Sequence, residues 1–324
     1  MSLRLPGIFI FLMFAHHSFF ANTDSLFKHT EYRKFLIKPS RSAFRAVEPN
    51  YKLRKIILLS SSALLTTGSV FYLNEAWYKQ YNTGKFHFFN DNNEWLQMDK
   101  AGHVFTNYQL SRLMMNGFQW AGFNKKQKLF IGGTIGLAYM SAIEIMDGYS
   151  QGWGFSWGDE LANVLGTSIA ISQAALWNEQ RIQLKFSYGQ SGLAQYNPDL
   201  LGKNFYTQIL KDYNGQTYWL SINPTSFIKK ENKFPKWLNI AFGYSAYGMI
   251  GGSYNSFTVQ QPDGTVLRFD RERRFYLSVD VDLTRIRTRS KFLKGLFSAI
   301  NIIKFPAPAL QFSNKGTRGY FLYF

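Results

Sequence analysis

The chain has 324 residues, enough for two domains or one large one, and 37 Lys and Arg against 20 Asp and Glu give a formal net charge of +17. It contains no cysteine, which excludes disulfides, thiolate metal sites and a thiol nucleophile, and removes the lipid-bearing cysteine of a bacterial lipoprotein. Apolar residues make up 46% and aromatics 18%, yet the mean hydropathy is −0.20, so the chain is no polytopic transporter and its apolar residues must lie in patches.

The basic balance fits nucleic acid, an anionic membrane surface or a solubilising polar face. With no nucleic-acid motif and with dispersed basic residues, nucleic acid is not expected as a partner. Membrane lipids and other envelope proteins are. Residues 1–21 carry Arg4, an apolar run over 8–14, then His16 and His17. They read as a secretory signal or an uncleaved anchor, and under the first reading both histidines leave with it. Residues 22–55 are basic and interrupted by Pro39 and Pro49, which predicts an extended or disordered segment. Residues 56–73 hold no charge. Eighteen residues is near the lower limit for crossing a bilayer, and six Ser or Thr weaken insertion. A cleaved signal and a cytoplasmic basic flank put this run in opposite orientations, so it is either a span or itself the signal.

Residues 74–98 are aromatic and polar without a period, as in a loop at headgroup depth, with a turn cluster at Asn90–Asn93. Helices are predicted over 99–117, with Asp99 as N-cap, over 129–146 and over 158–179. Ser156 and Asp159 resemble a capping box at the head of the third. Residues 56–180 thus form an apolar helical domain.

Polar residues recur at one end of each helix. Asp99 and His103 are four apart, and Asn107 continues their stripe. Glu144 and Asp147 are three apart, and Asp159 and Asn163 are four apart. In an antiparallel bundle the start of the first helix, the end of the second and the start of the third lie together. This order predicts one convergent site. Its carboxylates need compensation from Lys100, His103, Arg112 or a divalent metal. Oxygen ligands with one His (Asp99, His103, Glu144, Asp147 and Asp159) suit Mg, Mn or Ca. His103 held by Asp99, with Glu144 beside it, is the candidate catalytic group. Lys100, Asp147, Ser156, Trp157, Asp159 and Asn163 complete the candidate binding cluster. Purely structural roles, in capping and internal ion pairing, compete with both. No phosphate loop, GxSxG elbow, HExxH or dinucleotide fingerprint occurs.

The DKAGH run at 99–103, the pair Glu144 and Asp147, and GFSWGDELAN at 154–163 with Gly166 resemble the YfiM-like family of predicted bacterial periplasmic lipoproteins. The resemblance covers about 95–177 and implies location rather than chemistry. The longer form, with an aromatic segment before DKAGH and a strand-rich tail, resembles the version of Bacteroidetes-type bacteria.

From Arg181 the period changes to two. Alternation over 181–188, 238–246 and 275–284 predicts strands with one apolar and one polar face. Pro262-Asp263-Gly264 reads as a hairpin turn, and 205–212 as a helix ending near Asn214-Gly215. The final aromatic run ending in Phe324 resembles an outer-membrane barrel sorting signal, and 181–324 could supply eight strands of a small barrel. A soluble antiparallel sheet packed on the helices is the competing arrangement. The expected fold is α+β, an apolar helical bundle followed by an antiparallel β-rich domain. The expected function is a membrane-associated envelope protein, structural or lipid-binding. A metal-assisted hydrolase acting on a lipid or envelope glycan is the alternative.

Overall fold

A computed structural model describes residues 50–76, 78, 84–228, 234–255, 258–260 and 264–324. The expected signal at 1–21, most of the basic segment and the Pro262-Asp263 pair lie outside the described residues. Helix α1 (Tyr51–Ala76) starts inside the segment expected to be extended. The physical reason is local. Asn50 Oδ1 accepts from the Leu53 N–H at 3.0 Å as an N-cap, and Arg54 and Lys55 lie over the Trp120 and Phe123 rings. Leu58 is fully buried against α2, but Leu64 is 74% exposed and Phe71 71%.

Helix α2 (Met98–Trp120) is central. It is not capped by Asp99. Its N-cap is Gln97, the last of three left-handed residues, with Trp95 at φ 48°, Leu96 at 51° and Gln97 at 64°. Each such non-glycine residue costs about 1–2 kcal/mol. Tertiary partners hold the turn: the Trp95 N–H donates to the Gly252 carbonyl at 2.9 Å, and the Tyr244 hydroxyl to the Leu96 carbonyl. Asp99 therefore falls in the first helical turn, with its carboxylate free for other partners.

The second expected helix is split. A turn at Lys125–Gln127, closed by an Asn124/Gln127 capping box, leads through a wide turn at Lys128–Gly132 into α3 (Gly133–Tyr149). Helix α4 (Trp157–Leu176) is N-capped by Ser156, whose Oγ accepts from the Asp159 N–H at 3.1 Å. The capping box is only half made, because the Asp159 carboxylate turns to Lys100 instead. Helices α2 and α4 meet at Gly166, where a Cβ would lie 2.2 Å from the Val104 carbonyl oxygen, so only glycine allows this approach. Two stretches, Tyr51–Asn74 and Lys125–Tyr149, are long and apolar enough to cross a membrane.

The C-terminal half forms a six-stranded antiparallel sheet in the order β1 (Ile182–Tyr188), β2 (Gln216–Ile222), β3 (Leu238–Tyr247), β6 (Glu272–Val281), β7 (Ala307–Ser313) and β8 (Gly316–Tyr323). The two-residue strands β4 (Val259–Gln260) and β5 (Val266–Leu267) pair as the expected hairpin. Eight strands are present among the described residues, but the sheet does not close into a barrel. It curls far enough for a single parallel bridge between Phe186 and Ile303, and Tyr323 of β8 reaches Trp219 of β2. Helices α5 (Phe205–Lys211) and α6 (Lys291–Ile300) sit in the connections. Helix α2 locks onto β1 through Gln109, whose side-chain amide donates to the Leu184 carbonyl at 2.6 Å. Gln173 of α4 pins the strand start by accepting from the N–H groups of Arg181 and Ile182.

The enclosed face of the sheet is polar. Lys185 and Asp280 form an ion pair at 2.7 Å with neither side chain exposed, and Ser221, Asn239 and Asn301 complete a hydrogen-bonded network. The apolar residues of β3, β6 and β7 point the other way, as with Phe242 at 49% exposure.

Candidate functional site

The left-handed turn before α2 points the first helical turn inward, so that Asp99, Lys100 and His103 face the end of α3 and the head of α4. Lys100 Nζ lies 2.6 Å from Asp91, 2.9 Å from Asp159 and 3.6 Å from Asp99. His103 Nδ1 lies 2.9 Å from Asn163 Oδ1, an oxygen that also accepts from the Asn107 amide. An amide oxygen can only accept, so Nδ1 carries a proton and donates. This leaves Nε2 facing the gap between Asp99 and Asp159, at 3.9 and 3.8 Å. Glu144, 1% exposed, reaches His103 Nδ1 at 3.7 Å. Tyr213 donates to Asp99 at 2.6 Å, and Tyr78 to Asp147 at the same distance.

Burial works against the charged imidazole, but the charges of Asp99, Asp159 and Glu144 outweigh it and push His103 up to about 9. Burial and the like charge of Asp99 push the Asp159 carboxyl up to about 7, against His103 and Lys100. Burial also opposes the Lys100 charge, yet Asp99 and Asp159 hold its pKa above the ordinary value. Asp91 is desolvated too, but hydrogen bonds from its neighbours, including Lys100 and Ser156, keep it low.

The expected convergence is present: Asp99, Lys100, His103, Glu144, Asp159 and Asn163 form one cluster. Asp147 borders the same cavity but contacts Tyr78. Ser156 serves the cluster indirectly, through its cap and a 2.6 Å hydrogen bond to Asp91. Trp157 is not part of it. The residue is 63% exposed and its ring stacks on Phe88. Lys100 compensates Asp91 and Asp159, and Glu144 meets His103.

Sequence reasoning did not find Asp91, Tyr78, Tyr213 or Tyr218. Asp91 had a signal in the Asn-rich turn. The tyrosines had none, since Tyr213 is 114 residues from Asp99. Tyr218 stands over Gly102, where a Cβ would lie 2.9 Å from its hydroxyl.

The cluster lines part of a cavity of about 680 Å³, whose wall also carries apolar side chains, among them Leu73, Phe105, Met140, Ile143 and Phe186. Asp91, Asp99 and Asp159 surround Lys100 and His103, with Glu144 on the far side of the imidazole, so the set is rich in oxygen ligands around a single imidazole. One ligand atom each from Asp99, His103 and Asp159 lie within 4.8 Å of one another, a spacing that suits a small divalent ion. Asn163 holds Nδ1 as donor, so Nε2 is the nitrogen turned toward Asp99 and Asp159; it is protonated in the metal-free chain at neutral pH, and a bound metal ion would displace that proton.

Residues 87–175 match a family described as predicted periplasmic lipoprotein (DUF2279). The matched stretch contains both ends of the cluster, from Asp91 to Asn163, and its description agrees with an envelope location on the periplasmic side. No curated protein and no solved structure matches the chain.

Proposed function

We propose that the protein binds a membrane amphiphile, with the acyl portion in the apolar cavity and the polar head at the Asp99–His103–Asp159 end. The observation that carries this reading is a single cavity lined both by the charged cluster and by apolar side chains. Pockets of this size, apolar with a few convergent polar groups, are the usual form of small-molecule sites. Exposed apolar surface on α1, α3 and α4 supports membrane lipids as the source. With no cysteine in the sequence, attachment through this chain's own residues uses those surfaces. Within this reading the chain is a longer, Bacteroidetes-type version of the YfiM-like proteins and acts at the outer membrane.

Ile143→Trp, which adds bulk at an apolar position of the cavity wall and keeps every charged residue, tests the reading. Full-length protein purified in detergent from cell membranes is extracted, and bound lipid is quantified by mass spectrometry. The expected result is stoichiometric lipid on the parent and several-fold less on Ile143→Trp. Equal and substoichiometric lipid on both contradicts it.

A metal-assisted hydrolase is favoured by one specific observation, the Asp99–His103–Asp159 spacing with a fixed imidazole. A divalent ion held there would lower the pKa of a bound water and supply the nucleophile. Manganese or magnesium retained by the parent and lost from His103→Gln, together with ester cleavage that follows the metal, distinguishes catalysis from binding alone.

A further inference from the structure

The sheet has the polarity of a membrane wall. Its enclosed face carries Lys185, Ser221, Asn239, Ser278 and Asp280, all buried. Its outer face carries rows of apolar side chains in register. Leu220, Phe242, Leu277 and Leu310 are direct cross-strand neighbours. Ile222, Ile240 and Val279 form the next row on one side. Tyr244, Phe275 and Phe312 form the next on the other, where the row continues into Tyr218, which α2 covers at Gly102. In water the hydrophobic effect drives the opposite arrangement, with apolar side chains inside and lysine and aspartate outside.

We propose that this outer face lies in the hydrocarbon core of a lipid bilayer, whatever the cavity holds. Two further features carry the assignment. The apolar rows end at both sides in interfacial residues, with tyrosines and exposed Arg273 at one rim and exposed Trp237 at the other. Such aromatic and basic borders mark headgroup depth. From Arg273 to Val281 the strand covers about 26 Å, which a tilt of about 40° reduces toward 20 Å, the order of the apolar band on membrane barrels. The helices share this layer. Phe105 of α2 packs on Phe186 of β1 with ring centres 5.8 Å apart, and Leu161 and Leu165 of α4 are exposed nearby in sequence to the cluster. Arg273 also donates to Gln97, just before Asp99. The acidic–histidine cluster therefore sits level with the tyrosine rim, where lipid headgroups would reach it.

The absence of cysteine makes single-cysteine labelling direct. Spin labels are placed on Phe242→Cys, Leu277→Cys and Leu310→Cys in the central row, on Ile240→Cys in the adjacent row, and on the exposed turn variant Asn314→Cys. The full chain is reconstituted in vesicles of phosphatidylethanolamine and phosphatidylglycerol. Cooperative thermal unfolding identifies any variant that has not folded, and the remaining positions of the row carry the measurement. The central row should be reached by oxygen at least several-fold more readily than by a water-soluble nickel complex. Ile240→Cys should report a depth about 5 Å different, and Asn314→Cys should show the reverse preference. Nickel access to the central row as high as at residue 314 overturns the proposal. So does spin–spin broadening with low oxygen access at the row, which would mean that a second copy covers the face.

Discussion

The charged cluster makes stability depend on pH in a defined direction. His103 is raised from 6.5 to about 9 in the folded chain, and Asp159 from 3.8 to about 7. In both cases the folded state binds the proton more tightly than the unfolded state. Their contributions are fully present below the unfolded pKa and are lost as pH rises through the folded one. Asp159 loses its share between about pH 4 and 7, and His103 loses its share between about 6.5 and 9. At 1.36 kcal/mol for each unit, the His103 shift corresponds to about 3 kcal/mol. For 324 residues, at about 2.1 cal/mol/K of unfolding entropy each, that is about 4–5 °C in melting temperature. Thermal unfolding of the detergent-solubilised protein, followed by circular dichroism from pH 6 to 9.5, should show this fall. Asp99→Asn removes the largest of the charges that raise His103, and should flatten the curve above pH 7. Proton NMR of the His103 ring, assigned with His103→Gln, should place its midpoint near 9. A midpoint at or below 6.5, or a melting temperature that holds or rises through this window, refutes the electrostatic reasoning.

Three further outcomes follow from specific contacts. Asn163→Leu removes the acceptor shared by His103 and Asn107, which should cost about 2 kcal/mol in chemical denaturation and release the Nδ1–H tautomer of the neutral ring, read by nitrogen NMR above pH 9. Gly166→Ala places a methyl against the Val104 backbone and should destabilise by about 3 kcal/mol, while Gly189→Ala, where nothing lies within 4 Å, serves as the tolerated control. Asp280→Asn leaves the fully buried Lys185 without its counter-charge and should cost about 3–5 kcal/mol, and Lys185→Met added to it should recover much of the loss.

The convergence of Asp99, His103, Glu144 and Asp159 was legible because helical spacing and antiparallel order are local rules that act at long range. The start of α2 was not legible. Asp99 is a good capping residue, yet the left-handed turn at Trp95–Gln97 is set by the Gly252 carbonyl and the Tyr244 hydroxyl, more than a hundred residues away. Strand β2 was missed because Trp219 interrupts its alternation. Its indole lies on the enclosed face, donating to Ser187 at 2.9 Å. Alternation in β3 and β6 showed that the two faces differ but not which one faces outward, since period alone carries no direction. The charged residues supplied that direction only once the fold placed Lys185 beside Asp280.

The most direct measurement maps where a lipid chain contacts the protein. A phospholipid with a photoactivatable group at mid-chain is incorporated into vesicles with the full-length protein, and crosslinked peptides are sequenced. The amphiphile-binding account predicts adducts on Met140, Ile143 and Phe186 inside the cavity, suppressed in Ile143→Trp. Adducts confined to outward residues such as Leu64, Phe71 and Phe242, and unchanged by Ile143→Trp, would contradict it.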